Sequence, residues 1–290
     1  MKSADRNGHT VKTYDGQRKS AEFLYETRPG RAILRILIRP WVSETAGWFL
    51  NRRLSALLIS GFIRKNHIRI SDYLGAPYPS FNAFFSRDIR PEKRPVDMAR
   101  NRMVSPCDGK LTICRIEEGN TFFIKGVSYT MESLLRDKAL AAQYRGGYLF
   151  LFRLTVDDCH RYCYPADGTA GREKRIPGVF HTVQPEAAAR RAIYRENTRE
   201  YMILETETFG PVLMMEVGAM MVGRIVNPPM YGQVHKGEEK GYFEFGGSSI
   251  ILCIPRGRLL PDEDLLRNTA AGRETVIKRG EGIGHAAERQ

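Results

Sequence analysis

The chain has 290 residues, 42% hydrophobic and 27% charged, a composition that suits a globular protein with a substantial core and excludes a disordered, collagenous or coiled-coil chain. Lysine and arginine number 45 against 33 aspartate and glutamate, a net charge of +12, so an anionic partner is expected. The sign alone leaves nucleic acid, anionic lipid and acidic small molecules open.

Residues 1 to about 28 read as a polar, frayed leader without the apolar stretch of a secretory signal. From Arg31 to Arg39 an apolar set (Ile33, Leu34, Ile36, Leu37, Ile38) surrounds arginines at 31, 35 and 39, which predicts an amphipathic helix with a basic stripe, ended or kinked by Pro40. Trp41, Trp48, Phe49, Leu54, Leu57 and Leu58 continue the amphipathic character to Gly61. Eight basic residues and one acid lie between Gly30 and Arg69, so more than half of the net charge sits there. Arginine opposite tryptophan and leucine suits a helix lying in an anionic membrane interface; a helical hairpin packed on the main domain is the other reading. Nucleic acid is not expected, because no groove- or base-reading motif accompanies the charge. The longest uncharged apolar run near the N-terminus, Leu54 to Ile63, is about half of what a bilayer span requires.

A connector rich in proline and aromatics, Pro77 to Pro95, leads into a glycine-punctuated remainder. Gly147–Thr155, Val212–Met221 and Ser249–Ile254 are short apolar runs bounded by turn residues and read as buried strands. Glu186 to Arg195 is expected as one helix, and Asp262 to Asn268 as a short one. The chain therefore divides into residues 1–75, a polar leader with basic amphipathic helices, and residues 76–290, a β-rich domain. The fold class is α+β. Strand count does not separate a sandwich from a barrel.

Four islands hold reactive groups: Ser105 to Lys110, Asp157 to Gly168, Pro177 to Val183, and Phe243 to Ser249. Each is weak alone, since Asp108 before Gly109 is an ordinary turn former and a lone His181 is more often structural. Cys159, His160 and Cys163 lack a second ligand pair, so no metal site is expected. The five cysteines (107, 114, 159, 163 and 253) are too scattered for a disulfide framework, and a reducing compartment is expected.

Taken in order, the islands resemble the phosphatidylserine decarboxylase family, which is pyruvoyl-dependent and self-processing. The resemblance is carried by Phe84 to Arg87, Ser105 to Gly109, Asp158 to Arg161, Glu196 to Arg199, Val217 to Gly223 and Gly241 to Ser248, with Asp262 to Thr269 fitting the tail. It implies a predominantly antiparallel, sandwich-like β core. It also implies self-cleavage between Gly247 and Ser248: the Ser248 hydroxyl attacks the preceding carbonyl, and the ester eliminates to leave a pyruvoyl group derived from Ser248. That ketone would form a Schiff base with phosphatidylserine, release carbon dioxide and yield phosphatidylethanolamine, supplying an electron sink that no side chain offers.

By the same resemblance Asp108 orients a histidine that activates Ser248, and His160 protonates the carbanion. The family's common pattern has a second histidine three residues after the first, where this chain has Cys163, and His181 is the expected replacement because imidazole is the better base near neutrality. The implied partners are phosphatidylserine, an anionic membrane surface met by the basic helices, and the two processed pieces held together, on the cytoplasmic face as a peripheral protein. Alternatives are a related pyruvoyl-dependent decarboxylase acting on a free amino acid or another serine phospholipid, a serine hydrolase using Ser248, and an unprocessed lipid-binding protein.

Overall fold

The structure, a computed structural model, describes residues 2–11, 18–124, 126–219, 224–246 and 248–287. At its centre lies a sheet of eleven strands. Gly109–Arg115, Tyr148–Leu154, Ser248–Ile254, Gly210–Gly218 and Arg199–Thr206 run side by side through its middle, all pairs antiparallel. All seven residues of Ser248–Ile254 are buried, which explains why the strand reads as a continuous apolar run rather than an alternating one. Alternate residues serve two cores. Phe150, Phe152, Met214, Ile250 and Leu252 pack on one face, and Leu149, Leu151, Leu213, Met215, Ile251 and Cys253 on the other.

The first face is covered by two three-stranded sheets, one of them built from Ile225–Val226, Glu239–Phe243 and Arg161–Cys163. The second is covered by short helices bearing Leu134, Leu135, Ile193 and Tyr194, and by the Thr121–Ile124/Val127–Thr130 hairpin. The α+β class with a large antiparallel sheet core is therefore as expected, sandwich-like on one face and helix-covered on the other.

Three expectations change. In the leader, of which residues 1 and 12–17 lie outside the described residues, Lys2–Ala4 does not fray but pairs with Arg273–Ile277, in parallel, and Arg6 bridges Asp262 and Asp264. A polar segment can still satisfy a sheet edge, because backbone groups supply the pairing. The segment from 186 to 195 forms two helices, Pro185–Ala188 and Ile193–Glu196, since a break at Ala192 lets Ala187 pack on Tyr25 and Leu34 while Ile193 and Tyr194 enter the sheet's core. The three arginines do not share one helix either. Arg31 and Arg35 lie on Arg28–Leu37, but Arg39 precedes Pro40, which starts the helix Pro40–Leu50 rather than ending one.

The helical region both packs and leaves apolar surface open. Leu34, Leu50 and Ser55 are buried, with Ser55 bonded to Leu50 O and to the Phe81 amide. Trp41, Trp48, Leu54 and Leu57 are 59–80% exposed, and Arg52 lies over the Trp48 ring. Among the described residues no helix is long and apolar enough to cross a membrane.

Candidate active site

Ser248 begins its strand opposite Leu154 on one side and Gly218 on the other. Cross-strand partners project to the same face, so the Ser248 side chain joins Leu154 and Ile250 on the face covered by the Arg161–Cys163 sheet. The segment before it is held at three points. The Phe243 amide donates to His160 O, the Glu244 amide to Arg224 O, and the Phe245 amide to Asn82 Oδ1. Gly246 has φ of 145°, a backbone region that favours glycine, immediately before the expected cleavage point. Gly247 itself, and residues 220–223 of the Val217 to Gly223 segment, lie outside the described residues.

The loop after Leu154 carries the second half of the site. Asp158 accepts from the Thr155 amide (2.8 Å) and from Lys110 Nζ (2.6 Å), and both charged side chains are buried. Burial alone would raise the Asp158 carboxyl, but Lys110 holds it well below the usual carboxylate range. This knot orients His160. Its Nδ1 lies 3.1 Å from Asp158 O, its ring packs 4.1 Å from Phe85, and Phe85 in turn lies 5.0 Å from the Phe245 ring. The ring is wholly buried, and desolvation lowers its pKa to about 4. His160 Nε2 and Ser248 Oγ are both buried without a hydrogen-bond partner.

Two of the expected residues take other parts. Asp108 orients no histidine; its carboxylate sits in the fork of Arg94 at 2.6 and 2.8 Å and accepts from the Arg279 amide. A bidentate guanidinium fills both oxygens. His181 has both ring nitrogens engaged elsewhere, Nδ1 2.9 Å from the Tyr25 hydroxyl and Nε2 3.1 Å from Glu196. Those partners belong to the helical layer, behind the sheet face opposite that of the Ser248 side chain. Gly178 allows this packing: a Cβ there would meet Glu196 O at 2.2 Å. Cys163 is fully buried, with Ser105 O at 3.9 Å from its sulfur, and burial pushes its thiol up to about 12.

Lys110, Thr155 and Asn197 hold these segments together, though the sequence assigns them no role. Asn197 donates to both His181 O and Gly218 O, joining the 177–181 segment to the ladder partner of Ser248. The Lys110–Asp158 pair spans 48 residues, so no local pattern announces it.

Between the Pro40–Leu50 helix and the core lies a cleft of about 670 Å³ lined by Glu44, Trp48, Arg175, Thr198, Arg224 and Glu244, among others. One of its lining residues, Thr198, accepts at its carbonyl from the amide of Gly218, the ladder partner of Ser248. Arg175 and Arg224 face Glu200 and Glu244 at 3.7 and 3.8 Å, beyond hydrogen-bond length, and burial raises both carboxyls.

A model of the phosphatidylserine decarboxylase family matches residues 81–285. The chain is 41% identical to phosphatidylserine decarboxylase proenzyme 2 of Clostridium acetobutylicum over 274 residues, covering 93% of this chain and 94% of that one. It is 38% identical to the proenzyme of Fusobacterium nucleatum (91% and 90%) and 36% to that of Chlamydia felis (92% of each). With most of its length matched, the chain belongs to the phosphatidylserine decarboxylase family.

Proposed function

We propose that the chain is a pyruvoyl-dependent phosphatidylserine decarboxylase, made as a proenzyme that cleaves itself between Gly247 and Ser248 and working as a peripheral protein on an anionic membrane. The observation that carries this reading is the polarity gradient of the cleft. Exposed Trp41, Trp48 and Phe49 stand at its outer helix, two loosely paired arginines line it, and its lining residue Thr198 is backbone-bonded to Gly218, the ladder partner of the buried Ser248. A lipid fits that order, with acyl chains toward the tryptophans, the phosphodiester at Arg175 and Arg224, and the serine moiety inward.

The residues present suit a pyruvoyl group at position 248: the serine hydroxyl is buried and unbonded, and the preceding Gly246 backbone is one that glycine favours. Through a Schiff base with the substrate amine, the pyruvoyl ketone supplies the electron sink that the side chains lack. The chain's own residues then manage protons and water. His160, kept neutral by burial, accepts at Nε2 the proton that the substrate ammonium sheds and returns it to carbon once carbon dioxide has left. Phe85 and Phe245 keep bulk water from the ring.

The test is a comparison of purified wild type with Ser248→Ala. Wild type should separate into two pieces on denaturing gels, resist sequencing at the new terminus, and release carbon dioxide from phosphatidylserine vesicles but not from free serine. Ser248→Ala should stay whole and inactive. Full activity in an uncleaved wild-type chain, or equal activity on free serine, would overturn the reading.

A further inference from the structure

The proposed maturation requires a base for the Ser248 hydroxyl, and the tertiary structure removes the obvious ones. Of the six histidines, His9, His67, His235 and His285 are exposed. His181 has both ring nitrogens engaged behind the opposite face of the sheet. The Asp108 carboxylate is held by Arg94, and the Cys163 thiol is protonated and buried.

His160 differs in a way that its hydrogen bond decides. Asp158 O is a carbonyl, which only accepts, so the proton of the neutral ring resides on Nδ1 and Nε2 is left with a free lone pair. That lone pair has no partner, and neither has Ser248 Oγ. Both are among the buried side-chain polar atoms without a partner, and what sets this pair apart is how the chain links them. They are tied together from both sides. Leu154, the ladder partner of Ser248, opens the loop that ends in His160, and the Phe243 amide, five residues before Ser248, is bonded to His160 O. Phe85 packs against both the His160 and Phe245 rings.

We infer that His160 Nε2 is the base that takes the Ser248 proton in self-cleavage, so that one imidazole serves both the maturation and the turnover of this chain. The assignment rests on the proposed pyruvoyl chemistry. In the uncleaved chain the two atoms do not bond each other, so the proton transfer requires Ser248 Oγ to come within hydrogen-bond reach of Nε2. Oγ then bonds to the Gly247 carbonyl carbon while its proton passes to Nε2. The peptide C–N bond breaks as Nε2–H returns that proton to the Ser248 nitrogen, leaving an ester between Gly247 and the Ser248 oxygen. Loss of the Ser248 Cα proton and of the Gly247 carboxylate gives a dehydroalanine, whose imine form takes up water and releases ammonia to leave the ketone. No oxidant or reductant is consumed.

The experiment follows cleavage of the full-length chain by intact mass, in wild type and in His160→Gln, His160→Gly, His181→Ala and Cys163→Ala. General-base catalysis contributes about 100-fold or more, so His160→Gln should slow cleavage by at least that factor while His181→Ala and Cys163→Ala stay within about twofold of wild type. Added imidazole should restore cleavage to His160→Gly, which a purely structural role for the ring would not allow. Circular dichroism confirms that each variant is folded. Cleavage of His160→Gln at the wild-type rate overturns the assignment alone; a folded wild-type chain that never splits overturns the pyruvoyl reading with it.

Discussion

At the scale of single residues, burial and one carbonyl set the chemistry of His160. Desolvation brings its pKa down to about 4, against the pull of Asp158, with Arg87 and Lys110 adding to the depression. The sign follows from which form is needed. In the proposed role the neutral ring is the base, so the cleavage rate should be level from about pH 6 to 9 and fall as the pH approaches 4. A thiol base at Cys163, pushed up to about 12, would instead make the rate climb through the alkaline range. Disappearance of the precursor mass, measured from pH 4 to 9, separates the two. Stability shares the sign: an unfolded histidine takes up a proton near pH 6.5, the native one only near 4, so the stability from keeping this ring neutral is complete above 6.5 and is lost as the pH falls through 4.

At the scale of elements, the Glu239–Phe243 strand carries a charge into the interior to serve the layer over the site. Lys240 is 2% exposed and lies 2.7 Å from Glu173 and 3.1 Å from Glu216, and Glu216 is wholly buried with its pKa raised to about 7 by desolvation, which Lys240 partly offsets. Asn227 links Glu216 and Glu200 to the Tyr162 hydroxyl, two residues beyond His160. Removing one partner of a buried ion pair leaves the other uncompensated, so Lys240→Ala should lower the unfolding free energy by about 3–5 kcal/mol in urea titrations. Adding Glu216→Gln should recover part of that loss. This network was not legible beforehand, because Glu173, Glu216 and Lys240 come from separate segments and Glu216 sits in an otherwise apolar run. The run itself was legible, and its strand extends over Gly210–Gly218.

At the scale of the whole molecule, the proposed cleavage point falls between pieces that the sheet interleaves. The C-terminal piece supplies Ser248–Ile254, paired on both sides by strands of the N-terminal piece, and Arg273–Ile277, paired with Gly109–Arg115 and Lys2–Ala4. Arg153 also bridges Glu274 across the cut at 2.6 Å in a buried pair. Separating the pieces would expose a central strand with both edges open, so the processed chains should stay together: gel filtration of cleaved protein in native buffer should give one peak containing both, and only denaturant should part them. Two independently eluting peaks would contradict this.

The sequence by itself determined the family, through short motifs in a fixed order, and the fold class, because runs such as Ser249–Ile254 are short, apolar and bounded by turn residues, the pattern of buried strands. Chain-local patterns also point to Ser248 and His160 as candidates. Only the tertiary structure decided what those residues meet. Asp108 meets Arg94 rather than a histidine, His181 meets Tyr25 and Glu196 behind the sheet, and Lys2–Ala4 and Thr10–Val11 join the end of the sheet. The physical reason is that hydrogen-bond partners and desolvation are set by residues tens to hundreds of positions apart. Local spacing carries the period of a strand or helix and the identity of a motif, but not which face of the sheet a side chain finally shares.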